Sequence, residues 1–169
     1  MSEPTPELTP ELTPELTPQL TPAEPGLIPV ENMVCFAFYA ANHAFNRVYK
    51  PLLDALGLTY PQYLALVSLW TEDDRTVGSL GTALGLESST LTPLLKRLEA
   101  LGHVSRRRDG ADERVVRVKL TPQGKALQDK ARHIPACILA ATGLNLADVV
   151  RLQREVTALR ETLEKAAKA

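Results

Sequence analysis

Only one stretch of this chain alternates like β-structure. Val116, Val118 and Leu120 are interleaved with Arg117 and Lys119, and His103 to Arg108 lies just upstream across the polar turn DGADE. A lone two-stranded hairpin is not stable by itself and needs helices to pack against. The fold class that follows is mainly α with a small β-hairpin. The remaining segments are punctuated as helices. Asn32 is placed to cap a first helix running to about Val48, with Pro51 just beyond, and residues 52–56 give a short turn closed by Gly57. Tyr60 to Glu72 carries Tyr63, Leu66, Val67 and Trp70 at helical spacing. Thr76 to Leu84 ends at Gly85, and Ser88 is placed to cap the next helix, to about Leu101, with Gly102 closing it. Thr121 caps a further helix with Pro122 at its first position, and Asn145 starts the last one.

The N-terminal segment is of another kind. Thr5 to Pro22 repeats a four-residue unit, TPEL TPEL TPEL TPQL TP, and eight of the 13 prolines lie in the first 29 residues. Proline removes a donor and pushes its predecessor out of the α region, so this spacing opposes both helix and sheet. Residues 1–26 are expected to form a disordered or polyproline-like tail. Its role is either a docking spacer or a repeat expansion without specific function.

Net charge misleads until the tail is removed. The whole chain has 19 basic and 20 acidic residues, a formal charge of -1 that argues against nucleic acid as a partner. The tail holds Glu3, Glu7, Glu11, Glu15 and Glu24 and no Lys or Arg, which leaves 19 basic against 15 acidic residues for the rest. The surplus is local. Lys96 to Lys119 contains eight basic residues and only four acidic ones, Glu99, Asp109, Asp112 and Glu113.

Helix, glycine turn, helix and basic hairpin is the order of a winged helix-turn-helix. Ser88, Ser89, Thr90 and Thr92 open the second helix with short hydroxyl side chains suited to phosphates and base edges. Lys96 and Arg97 follow, while Leu91, Leu94, Leu95 and Leu98 make the opposite face apolar. The hairpin adds Arg106, Arg107, Arg108 and Arg114, and Asp112 is close enough to orient Arg114 at the turn. In the last helix Val149, Leu152, Val156, Leu159 and Leu163 step by three and four, a stripe that serves either an intrachain core or a second copy of the chain. With the apolar first helix, a homodimer is the favoured reading.

Two cysteines, Cys35 and Cys137, are too few for a disulfide scaffold and fit a reducing compartment. The N-terminus has no basic start followed by an apolar run, and no stretch approaches the ~20 apolar residues of a membrane span. A cytoplasmic protein without membrane contact is therefore expected, and neither metal nor cofactor. Cys35 stands in the expected first turn of its helix, where backbone N–H groups and the helix dipole favour an anion. Tyr39 is four residues on, on the same helical face. Tyr49 is about 21 Å from Cys35 along an ideal helix and reaches it only if a partner helix lies alongside.

Asp112-Glu113-Arg114 followed by Leu120-Thr121 resembles the D-x-R…L-T wing signature of the MarR family. The segments ENMVCFAFY (Glu31 to Tyr39), YKPLLDALGLTYPQYLALVSLW (Tyr49 to Trp70), STLTPLLKRLE (Ser89 to Glu99) and Ile134-Pro135 are similar to its organic-hydroperoxide-sensing branch. The resemblance covers about residues 28–165 and leaves out the repeat tail. It implies a winged-helix domain over residues 27–169, with the DNA-binding part at about 60–121 and the dimerisation part at about 30–50 and 122–166. It further implies a homodimeric repressor that binds a pseudo-palindromic double-stranded DNA operator when reduced. Release would follow oxidation of Cys35 by organic hydroperoxides.

The matching sensor positions are Cys35, Tyr39, Tyr49 and Tyr60, with Phe36, Phe38, Leu66 and Trp70 as an apolar surround. Cys137 is either a resolving thiol or a passive one, and without it a small thiol would be the mixed-disulfide partner. The alternatives are a regulator answering a non-covalent small ligand with Cys35 incidental, a thiol peroxidase enzyme, and a helical interaction module. Against the enzyme stand the absence of a CxxC pair and of alternating strands and helices.

Overall fold

The computed structural model describes residues 28–168, so the repeat tail of residues 1–26 lies outside the described residues. The described residues fall into two units, one ending at Ala37 and the other beginning at Phe38. In the first, Pro29 leads into a single 3-10 turn, Val30–Asn32, and helix α1 (Val34–Asp54) opens two residues later. Asn32 therefore does not cap α1, as the sequence suggested. It is part of the preceding turn and its amide donates to the Pro29 carbonyl at 2.9 Å. Helix α1 also runs past Val48 and includes Pro51. Proline in the last turn deprives the helix of one hydrogen bond. Leu53, only 2% exposed in the core, and the Lys50–Asp54 ion pair at 2.7 Å act in the other direction.

The second unit follows the expected order with three differences. Helix α2 (Tyr60–Thr71) begins with a capping box in which the Thr59 amide donates to Gln62 Oε1 at 2.8 Å. Strand β1 (Arg75–Thr76) leads directly into α3 (Val77–Leu84), whose cap is the Thr76 hydroxyl accepting from the Ser79 amide at 3.0 Å. Gly85, at φ 63°, turns the chain into α4 (Ser88–Ala100). Ser88 is the first residue of α4 rather than its cap, which is Glu87. Strands β2 (Val104–Arg108) and β3 (Val116–Leu120) form the wing.

The sheet is three-stranded and antiparallel in the order β1-β3-β2, so the expected hairpin gains an edge strand. Two residues carry no periodicity, and β1 is defined only by pairing Arg75 with Val118 and Thr76 with Arg117. Downstream, the segment after Thr121 is two helices, α5 (Pro122–Ala131) and α6 (Ile134–Thr142). Pro135 has no N–H to continue α5 and fits the first turn of a new helix instead. Helix α7 (Leu146–Ala166) is capped by Asn145, as expected.

The core of this unit is built from α2, α3, α4 and the inner face of the sheet. Leu66, Leu69, Leu80, Leu91, Leu95, Leu98, Val118 and Ile134 have no exposed surface. By contrast, α7 buries no residue, and Leu152, Val156, Leu159 and Leu163 are exposed along it. Among the described residues no single helix is long and apolar enough to cross a membrane.

One joint connects the wing to α5. The His103 carbonyl accepts the Thr121 amide at 3.1 Å, and a Cβ on Gly124 would sit 1.9 Å from that carbonyl oxygen. The Gly124 carbonyl in turn accepts Trp70 Nε1 at 2.9 Å, tying α2 to α5. The His103 ring is 7% exposed and its Nδ1 has no hydrogen-bond partner. Burial holds its pKa below the usual histidine range.

Two outcomes follow from this joint. Gly124→Ala forces backbone apart and should destabilise the fold by about 1–3 kcal/mol, read as a lower urea midpoint. His103 is neutral in the fold and protonates more readily when unfolded. Its contribution is thus complete above about pH 6.5 and is lost as pH falls below it toward the depressed native value. Urea midpoints between about pH 7.5 and about pH 5.5 should fall in the natural chain and fall less in His103→Leu.

Candidate functional site

Helix α4 turns two unlike faces to its surroundings. Leu91, Leu94, Leu95 and Leu98 are buried against the core, which leaves Ser88, Ser89, Thr90, Lys96 and Arg97 exposed. Thr92 is half-buried. No ion pair among the described residues involves Lys96 or Arg97. Between α3, α4 and the wing lies an open depression of about 380 Å³, lined by Thr76, Ser88, Thr92, Arg106, Arg114 and Val116 among others. The hydroxyls expected on one side and the wing arginines expected on the other thus share one concave surface.

The wing arginines are not equivalent. Arg106 is taken up by Glu99 of α4: Nη2 lies 2.7 Å and Nε 2.9 Å from Oε2, and the Arg106 amide donates to Oε1 at 2.9 Å. These bonds hold the Glu99 carboxyl below its ordinary pKa and pin β2 to α4. Arg107 pairs with Asp74 at 2.8 Å, and Arg108 donates to the Glu113 carbonyl at 2.8 Å. Arg114 projects from the turn with its side chain 92% exposed. Asp112 supports it from below, since Oδ1 accepts both the Arg114 amide at 3.0 Å and its Nε at 3.2 Å. Asp112 and Arg114 are thus bonded to one another at the turn, at the spacing singled out in the sequence.

Three residues of this surface escaped the sequence reading in their roles: Glu99, Asp74 and Arg117. Arg117 was legible only as one more positive charge. In the fold its Nε lies 3.0 Å from Asp74 Oδ1 and its Nη1 3.3 Å from Asp109 Oδ2, while Nη2 donates to the Asp74 carbonyl. Asp74 is 43 residues away from Arg117 in sequence, and no local pattern announces such a pair.

The tyrosines fall into two groups. Tyr49 and Tyr60 pack with ring centroids 4.6 Å apart at a tilt of 46°, and Tyr63, read only by its helical spacing, joins them 6.1 Å from Tyr49. Burial, and next the neighbouring Tyr60 and Tyr63, push the Tyr49 hydroxyl up to about 12. Tyr39 is exposed, with its ring 4.4 Å from His43. Leu66, named for the apolar surround, is wholly inside the core of its unit, and the Trp70 indole donates to the Gly124 carbonyl. In the other unit Cys35 is the second residue of α1 and is exposed, so it is not a core-filling thiol there. Cys137 is also exposed, in the first turn of α6. Both thiols are free.

Comparison with known proteins agrees with this geometry. The profile of the transcriptional regulator SarA/Rot family matches residues 47–131. The HTH-type transcriptional regulator TtmR of Methylorubrum extorquens (strain PA1) is 46% identical over 134 residues, which is 79% of this chain and 69% of that protein. The organic hydroperoxide resistance transcriptional regulator of Bacillus subtilis (strain 168) is 45% identical over 134 residues, 79% of this chain and 91% of that one. Among solved structures, reduced AbfR bound to DNA superposes with a TM-score of 0.69 at 34% identity, over 80% of this chain and 93% of its own. Disulfide-formed AbfR superposes less closely, at 0.56, over 83% and 93%. These relatives are regulators rather than enzymes, which removes the thiol peroxidase alternative. With its three-stranded sheet and helix-turn-helix, this chain belongs to the SarA/MarR-type family of winged-helix transcriptional regulators.

Proposed function

We propose that the chain is a thiol-switched, homodimeric repressor that holds a pseudo-palindromic operator when reduced and leaves it when an organic hydroperoxide oxidises Cys35. The observation that carries the reading is an exposed, unpaired cysteine as the second residue of the first long helix, in a chain 45% identical to an organic hydroperoxide resistance regulator. Existence of AbfR both as a reduced DNA complex and as a disulfide form supports a switch of this kind.

In the chemical step the Cys35 sulfur attacks the distal peroxide oxygen. The O–O bond breaks, the alkoxide takes a proton to become an alcohol, and the sulfur becomes a sulfenic acid. A second thiol then displaces water and forms a disulfide. That thiol is either Cys137 of the partner subunit or a small external thiol. Tyr39, Tyr49 and Tyr60 are the proposed hydroxyl neighbours of the sulfur in the dimer, assigned from the family resemblance. Each recognition helix α4 would enter a major groove with Ser88, Ser89, Thr90 and Thr92 leading, and Lys96 and Arg97 would meet the backbone. Arg114 would reach the neighbouring minor groove. The exposed stripe of α7 gives the dimer an apolar seam, and the protein would act in the cytoplasm.

Three measurements test the proposal. In a gel shift with operator DNA, cumene hydroperoxide should release the natural chain and leave Cys35→Ser bound. Release of Cys35→Ser to the same extent defeats the thiol switch and favours the non-covalent ligand reading. On a non-reducing gel of oxidised protein, an intersubunit band that disappears in Cys137→Ser identifies Cys137 as the resolving thiol, and a band that persists excludes it. Arg114→Ala should lower operator affinity by about 1–3 kcal/mol while leaving the melting temperature unchanged.

A further inference from the structure

The outer face of the wing carries two arginines side by side. Arg107 of β2 and Arg117 of β3 are directly paired across the ladder. Like charges in that position destabilise a hairpin and together attract any polyanion. Both are met by one carboxylate. Asp74 directs Oδ2 to Arg107 Nη2 at 2.8 Å and Oδ1 to Arg117 Nε at 3.0 Å, and its carbonyl takes Arg117 Nη2. Asp109 takes the remaining Arg117 nitrogen at 3.3 Å. Asp74 occupies its place at a φ of 56°, a left-handed conformation that Asp and Asn adopt more readily than other side chains. It is the only residue other than glycine with positive φ among the described residues.

The inner face and the tip are built differently. There Arg114 is 92% exposed, and Lys96 and Arg97 enter no ion pair among the described residues. Beside α4 and at the tip, Arg114, Lys96 and Arg97 are thus accessible while Arg106 is held by Glu99; on the outer face Asp74 holds Arg107 and Arg117, and Lys119 is exposed.

We propose that Asp74 is a specificity-determining residue: by holding Arg107 and Arg117 it keeps the outer face of the wing out of phosphate contacts and confines DNA binding to α4 and the wing tip. This rests on the reading that the chain binds DNA. Sequence-independent affinity grows with each phosphate a protein neutralises and carries no base information. A wing with two further accessible arginines would thus bind any duplex more tightly without binding its operator better in proportion.

The test compares the full-length natural chain, Asp74→Asn and Asp74→Asn/Arg107→Gln on operator and on random duplex DNA over a range of salt. Asparagine keeps the shape of the side chain and its tolerance of positive φ, and removes the charge together with one of the two acceptor oxygens. The expected result for Asp74→Asn is tighter binding to random duplex at low salt, by several-fold. Its plot of log affinity against log salt should steepen by about 0.9 for each phosphate newly neutralised. The ratio of operator to random affinity should shrink, and Arg107→Gln added to Asp74→Asn should return the share of the slope due to Arg107, about half. Unchanged slope and unchanged ratio overturn the inference, including the case in which Asp74→Asn only lowers the melting temperature. A natural chain that retards no DNA overturns the DNA-binding reading and the inference with it, whereas normal operator binding with an unaltered slope overturns the inference alone.

Discussion

The burial of one leucine face decides the orientation of everything that reads outward. Leu91, Leu94, Leu95 and Leu98 of α4 are all within the core, three of them completely. Each such side chain contributes about 1.5–3 kcal/mol relative to exposure. Rotating α4 by a single residue would withdraw several of them at once, so the helix has one stable setting. That setting presents Ser88, Ser89, Thr90, Lys96 and Arg97 to solvent as a group. Glu99, on the same helix, then reaches Arg106 and fixes the wing relative to α4. The polar surface is consequently positioned by apolar packing, and the wing by a charge pair anchored on that packing.

What the sequence made legible follows from the range of the interactions. Turns and caps are local, and Gly85, Thr121, Pro122 and Asn145 act as their chemistry implies. The alternation of Val116, Val118 and Leu120 likewise reports an inner sheet face directly. Failures occur where a distant partner decides. Strand β1 exists because Arg75 and Thr76 find β3, more than forty residues later, and two residues offer no period to detect. Asn32 has good capping chemistry, but Pro29 draws it into a 3-10 turn and the helix starts beyond it. Pro51 looked like a stop, yet Leu53 just after it is buried, and packing overrides propensity.

The candidate site shows the same division. Hydroxyls and cations on α4 could be assigned because a helix of known phase turns them to one side. The arginine cluster of the wing was legible as charge but not as a distribution of charge. Counting Arg106, Arg107, Arg108 and Arg114 together treats as alike one residue held by Glu99, one held by Asp74 and one almost wholly exposed.

The charge count of the chain acquires meaning only through this geometry. Removing the five tail glutamates turns a deficit into a surplus, but the surplus is not a field spread evenly over the wing. Glu99 holds Arg106, Asp74 holds Arg107 and Arg117, and Asp109 also holds Arg117, all at 3.3 Å or less. Salt weakens such surface pairs as well, but separations far inside the screening length suffer less than the attraction of exposed cations for a phosphate backbone. Raising salt therefore weakens the outward attraction first and leaves the internal pairs that shape the wing. Over that range the wing keeps its form while its hold on arbitrary sequence falls away, which is the condition under which base contacts decide binding.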